Sequence, residues 1–179
     1  GRTDKSNPSV QRIRLSDGNV ATVLRGMAGC DGIRRTPWGT ILATEETSDG
    51  QAYEILNPLQ MTNLTLTGRG TANLFDPTGA NVTDTANKLA LRAALPEMAW
   101  EGLAITAQGV VIAGDELRPG SYTDARTSTK DTDGGALFKF VPATPATGTS
   151  IANLNQSPLA AGSVYALQVS CVDNKQQFG

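Results

Sequence analysis

The sequence predicts an all-β chain, arranged either as a sandwich or as propeller blades. Three observations point there. Short runs of alternating apolar and polar residues recur along the chain, and clusters of Gly, Pro, Asn and Asp separate them. Only one stretch, residues 86–95, has a spacing that suits a helix.

Taken in order, residues 10–15 alternate in polarity, Ser16-Asp17-Gly18-Asn19 turns, and residues 20–24 return, which is the pattern of a hairpin. Residues 40–44 and 51–56 are the third and fourth strands. Between 60 and 84 the chain is rich in Thr, Asn and Gly, with a turn at 75–79. It also carries N-x-[ST] triplets at Asn63 and Asn81, which mark exposed loops where the source glycosylates its proteins. Residues 86–95, with Leu89, Leu91 and Leu95 before Pro96, read either as a helix or as an extended arm. Residues 100–105 and 110–116 form a strand pair about Gln108-Gly109. Residues 117–134 lack hydrophobic period and read as a long surface loop. Residues 136–141 and 163–170 are the last strands, joined through the small-residue connector 143–150.

At 179 residues the chain suffices for one domain with its own core. With 15 basic and 17 acidic residues interspersed and a net charge of −2, it lacks the basic face that nucleic acid requires. No apolar run approaches the roughly 18 residues of a membrane span. Histidine is absent. That removes Ser-His-Asp and Cys-His catalysis and every histidine metal site, leaving carboxylates, thiols and backbone carbonyls as ligands. Cys30 and Cys171 allow one disulfide or none. The opening Gly1-Arg2-Thr3, without Met or signal peptide, reads as a processed product or a fragment.

Chemistry concentrates in residues 30–46, CDGIRRTPWGTILATEE, which hold one thiol, two arginines and two adjacent carboxylates. Pro37 fixes φ and Gly39 frees it, so Thr36-Pro37-Trp38-Gly39-Thr40 reads as a tight turn feeding a strand. That strand ends at Glu45-Glu46, and residues 111–114 likewise run into Asp115-Glu116, while Glu101 follows Trp100 at a strand start. Acids at equivalent strand ends converge on one face and make an oxygen-rich cage for a hard cation such as Ca²⁺. A thiolate beside them favours a transition metal.

The segment 30–46 resembles one in the PhoX-type alkaline phosphatases, in which a cysteine precedes a T-P-W-G-T turn and a Leu-x-x-Glu-Glu strand. Further likenesses follow in order. Trp100-Glu101-Gly102 stands where the family often has His-Glu. Val111-Ile112-Ala113-Gly114-Asp115-Glu116 is similar to its V-Y-Y-T-G-D-D strand. Gly134-Gly135-Ala136-Leu137-Phe138-Lys139-Phe140 is similar to G-G-x-Y-K-F, and residues 161–167 to G-T-L-Y-V-A. The resemblance covers about residue 28 onward, loosely over 60–95.

It implies a six-bladed β-propeller, periplasmic or secreted, hydrolysing phosphate esters at a calcium and iron cluster. Six blades of about 40–50 residues exceed this length, so residues 1–179 supply part of a single propeller that a complementary chain or fragment completes. The resemblance makes Cys30 an iron ligand and Glu101 a metal ligand, and places Glu46, Asp115 and Glu116 on the metal face. Cys30 and Glu101 are thereby catalytic candidates, and Arg118 joins them as an arginine that, like Arg35, is able to clamp the phosphate bidentately, though no motif singles either out. Two other classes compete: a silent segment that binds or assembles, with at most structural calcium, and a hydrolase of another substrate such as a lactone.

Overall fold

The computed structural model describes residues 7–68, 70–117, 120, 123–124, 128–130, 135–167, 170–171 and 176–177. Their regular backbone is almost entirely strand, interrupted by three single-turn 3₁₀ helices, with no α-helix among the described residues. The strands are β1 (Pro8–Ile13), β2 (Val20–Arg25), β3 (Cys30–Arg35), β4 (Ile41–Glu45), β5 (Ala52–Ile55), β6 (Leu64–Thr67), β7 (Asn73–Phe75), β8 (Asn81–Val82), β9 (Leu89–Leu91), β10 (Trp100–Ile105), β11 (Val111–Asp115), β12 (Thr123–Asp124), β13 (Thr129–Lys130), β14 (Leu137–Pro142), β15 (Gly162–Ala166), β16 (Ser170–Cys171) and β17 (Gln176–Gln177).

They assemble into three sheets and two short ribbons. Sheet I has the order β1-β2-β6-β7-β8, with β2 and β6 parallel and the other pairs antiparallel. Sheet II (β3-β4-β5-β9) and sheet III (β10-β11-β14-β15) are four-stranded and wholly antiparallel, each taking its strands in chain order. The ribbons pair β12 with β13 and β16 with β17. None of the sheets closes into a barrel.

Two cores hold the sheets in a stack. Alternation along β4 sends Ala43 to one side and Leu42 to the other. Ala43, Tyr53, Ile55 and Leu89 of sheet II pack with Leu24, Leu66 and Leu74 of sheet I. Leu42 and Ala52, on the opposite face, pack with Trp100, Leu103, Val111, Ala113 and Phe140 of sheet III. Sheet II is thus covered on both faces, and its two central strands are buried almost throughout.

At the centre of the second core lies a buried carboxylate. Glu54 Oε1 accepts from Trp38 Nε1 (2.7 Å) and Thr40 Oγ1 (2.5 Å), while Oε2 accepts from Arg92 Nε (2.6 Å) and Ser157 Oγ (2.7 Å). Removal of such a group from water is tolerated because each oxygen regains two donors and one of them is a guanidinium. Arg92 also donates to the Leu154 carbonyl, so this network ties sheet II to the 3₁₀ turns at Leu154–Gln156 and Pro158–Ala160.

Sequence expectations and structure part at four places. The helical reading of 86–95 gives way to a 3₁₀ turn at Thr85–Asn87 and then β9, because Leu89, Ala90 and Leu91 complete the edge of sheet II against β5. β3, ahead of the expected turn at 36–40 and assigned no element from the sequence, is a strand with no buried residue. Its register comes from β4 and from packing on β10, which no hydrophobic period announces. The stretch 60–84 holds three strands of sheet I. Of the expected loop at 117–134, the described part includes the ribbon β12–β13.

Candidate functional site

Sheets II and III are built on one repeat. Cys30-Asp31-Gly32-Ile33 opens β3, and Trp100-Glu101-Gly102-Leu103 opens β10 seventy positions later. Both strands bulge at these residues, between Cys30 and Ile33 and between Trp100 and Leu103. The partners also correspond, since Cys30 faces Glu45 and Trp100 faces Asp115. The intervening turns close alike. Thr36 N donates to the Thr40 carbonyl (2.9 Å) and Thr106 N to the Val110 carbonyl (2.9 Å), with Gly39 and Gly109 both at φ 90°. This positive φ explains a glycine at each.

At the other end of both hairpins the acids gather. Asp31 and Glu101 lie in the bulges, and Glu46 and Glu116 follow β4 and β11. β3 runs beside β10, and Gly32 makes the approach possible. A Cβ there would lie 2.6 Å from Leu103 Cδ2 and 2.6 Å from Thr44 Oγ1. Asp31, Glu46 and Glu101 consequently bring one carboxylate oxygen each within 4.8 Å of one another, on the exposed surface. Glu116 joins through a hydrogen bond with Glu46, and Glu101 is hydrogen-bonded with Asp31.

Like charges crowded together disfavour the charged form, and two of these carboxyls show it. The hydrogen bond with Glu116 raises the Glu46 carboxyl above its ordinary range, helped by partial desolvation and by the charges of Glu116, Asp31 and Glu101. Glu101 is raised by its hydrogen bond with Asp31, then by the charge of Asp31, desolvation and the charge of Glu116. The arrangement concentrates negative potential that a cation relieves. Ca²⁺ takes oxygens at about 2.3–2.6 Å, so donors on opposite sides of it lie about 5 Å apart. The three-acid group has that scale.

The preceding acids do different work. Glu45 is buried and accepts from the amides of Ala28 (2.7 Å) and Gln51 (3.2 Å). Asp115 Oδ1 accepts from the amides of Ala99 and Leu117, both at 3.0 Å. Strand alternation turns one acid of each pair inward to hold backbone and leaves the next outward. Among the five residues expected at a metal, Glu46 and Glu101 fall in the three-acid group, with Glu116 beside Glu46. Asp115 and Cys30 lie outside the three-acid group.

Cys30 carries a free thiol, hydrogen-bonded with Ser9. Desolvation by its surroundings raises this thiol's pKa, and the nearby charge of Glu45 adds to the rise, against the opposing Ser9 hydrogen bond. Arg118 lies outside the described residues. Arg35 lines a separate recess of about 490 Å³ with Gly39, Ile41 and Pro58, at the turn end of sheet II.

Asp31 is the member that sequence reasoning missed. The signal was present: Asp31-Gly32 and Glu101-Gly102 stand seventy positions apart, as do Glu46 and Glu116. The Thr36–Thr40 turn lies across the length of β3 and β4 from the acids, about 16 Å at some 3.3 Å per residue. Its tryptophan serves the core. No protein-family model, curated protein or solved structure matches the chain.

Proposed function

We propose that the chain is part of a cation-dependent phosphoester hydrolase of the outer compartment, in which Asp31, Glu46, Glu101 and Glu116 hold a hard divalent cation such as Ca²⁺. The observation that carries the proposal is the convergence of these acids from the corresponding ends of two repeated sheets. The reaction class comes from the resemblance to the PhoX-type phosphatases. A bound divalent ion supplies Lewis-acid polarisation of a phosphoryl oxygen. The chain's part is to fix an all-oxygen donor set on strand ends, where β3, β4, β10 and β11 leave little freedom.

The donor set suits a hard cation and does not suit the iron expected from the resemblance. Iron at Cys30 calls for a thiolate among the donors, and Cys30 lies outside the three-acid group. No step is therefore assigned to iron. The same observation favours a second reading, in which these residues form a structural calcium site in a binding or assembly module.

Calorimetric titration with CaCl₂, followed by assay of p-nitrophenyl phosphate with and without the ion, separates the two. Binding that the pair of substitutions Glu46→Gln and Glu101→Gln weakens at least about tenfold, together with calcium-dependent hydrolysis, supports the hydrolase. Binding without hydrolysis leaves the structural site. Absence of binding overturns both.

A further inference from the structure

Across the length of β3 and β4 from the acids lies the recess of about 490 Å³ at the turn end of sheet II. Two pieces of backbone wall it, and both are held from behind. On one side, Thr36 N donates to the Thr40 carbonyl (2.9 Å) and Thr40 N to Thr36 Oγ1 (3.0 Å), while Thr40 Oγ1 is committed to Glu54. On the other, the loop 57–60 curls onto the Asn57 carbonyl, which accepts from the amides of Gln60 (2.9 Å) and Met61 (3.1 Å). Asn57 takes φ 51°, a left-handed conformation that asparagine tolerates better than most residues. Arg12 pins this loop to β1 by donating to the carbonyls of Pro58 and Leu59. Ile41, Pro58 and Leu59 give the recess its apolar surface.

The polar groups at this recess are uncommitted. Arg12, Arg14, Arg25, Arg34 and Arg92 all donate within the chain. Arg35 has no hydrogen-bond or ion-pair partner among the described residues. The side-chain amides of Asn57 and Gln60 line the same recess and likewise lack a partner among them. No described acid lines it. An apolar hollow of this size with a few convergent polar groups is the usual form of a small-molecule site.

We infer that the recess binds a small amphipathic carboxylate, an aliphatic or aromatic body bearing one carboxyl group. The Arg35 guanidinium offers a carboxylate two parallel N–H donors, and the amides of Asn57 and Gln60 supply donors for its remaining lone pairs. The body packs on Ile41, Pro58 and Leu59. Charge decides the class: one free guanidinium balances one negative charge. A phosphate monoester carries a second charge at neutral pH, and that charge would stand unmatched against an apolar wall. The ligand is therefore distinct from a phosphate ester at the acids. This inference stands on the recess and is independent of the cation reading.

Calorimetric titration with sodium octanoate in calcium-free buffer tests it, with acetate and 1-octanol standing for the charge and the body alone. Octanoate is expected to bind saturably, and at least about tenfold more tightly than either fragment. Arg35→Gln should weaken it at least about tenfold. Arg35 is exposed, so this variant keeps the fold. Arg35→Lys, with the charge but no fork, should fall between. The groove on sheet III also joins apolar residues to a cation, Lys139, so Lys139→Gln is the control and should leave octanoate binding unchanged. No binding of octanoate at millimolar concentration overturns the inference, as does binding that survives Arg35→Gln. Either fragment binding as tightly as octanoate overturns it too. Binding lost in Lys139→Gln but kept in Arg35→Gln would seat the ligand on sheet III and overturn it. Inorganic phosphate binding as tightly as octanoate would make the recess a phosphate site and overturn it as well.

Discussion

Sheets II and III share a skeleton and differ in what covers it. Both begin with a bulged strand carrying an acid and a glycine, turn through a Thr-to-Gly loop, and return to a pair of acids. Yet the row Leu42–Glu54 in sheet II is fully buried, whereas the corresponding row Ile112–Lys139 in sheet III borders solvent. The turn residue Trp38 of sheet II, which caps Glu54, is Gln108 in sheet III. The acids at the far end are nearly unchanged between them. The hairpin ends therefore carry what the two repeats share, and the faces carry what their neighbours demand.

The largest test of this contrast is at the paired charges. Glu54→Ala strands Arg92 in the core and frees Trp38 and Ser157, and the loss of one partner of a buried pair costs about 3–5 kcal/mol. Lys139→Ala at the corresponding position removes an exposed cation and is expected to change stability by less than about 0.5 kcal/mol. Urea unfolding of the two variants measures both. Equal costs would dissolve the distinction between a covered and an open row.

A smaller effect separates the two bulge glycines. Gly32→Val has to displace both Leu103 and Thr44 and is expected to cost about 1–3 kcal/mol by overpacking. Gly102 has open space where a Cβ would go, so Gly102→Val is close to neutral. Only the Gly32 variant should also weaken Ca²⁺ binding, because it forces β3 away from β10 and parts Asp31 from Glu101. Calorimetry on both variants gives that comparison directly.

How much of this was legible from the chain follows from where the physics is local. The hairpin of β1 and β2, the strands β10, β11 and β14, and the turns at Gly39 and Gly109 announce themselves through alternation and glycine. β3 does not, since its residues are mostly polar and exposed and β10, the strand of sheet III it packs beside, lies seventy positions away. β9 is short, and its leucines satisfy a helical spacing as readily as an extended one. At the site, Glu46, Glu101 and Glu116 were found from acidic strand ends, but the same rule also admitted Asp115. Adjacent acids on a strand point opposite ways, and which of them turns inward depends on backbone donors such as Ala99 N and Leu117 N. Trp38 drew attention as part of a distinctive segment, and its role proved to be the burial of Glu54.

The subtlest effect is one of pH. Glu46 and Glu101 keep their protons to higher pH in the folded chain than at the ordinary value of 4.5. The folded state thus binds more protons than the unfolded one as pH rises above that value. Stability from this source is complete below about pH 4.5 and is lost as pH rises through the folded values. At neutral pH the cluster is therefore a net strain, and Glu46→Gln should raise Tm slightly, with the gain fading as the pH falls towards 4.5. Added Ca²⁺ should raise the Tm of the unaltered chain more than that of the variant, because binding to the folded state stabilises it by mass action. Cys30→Ser, outside the acid group, should leave this calcium-dependent rise unchanged. Thermal melts at pH 4.5 and pH 7.5, each with and without CaCl₂, measure all of these. Were Glu46→Gln to lower Tm at neutral pH without the ion, the carboxyls would not be in mutual repulsion. The shared acids of the two repeats would then be fastening the sheets together, and the case for a cation there would lose its physical ground.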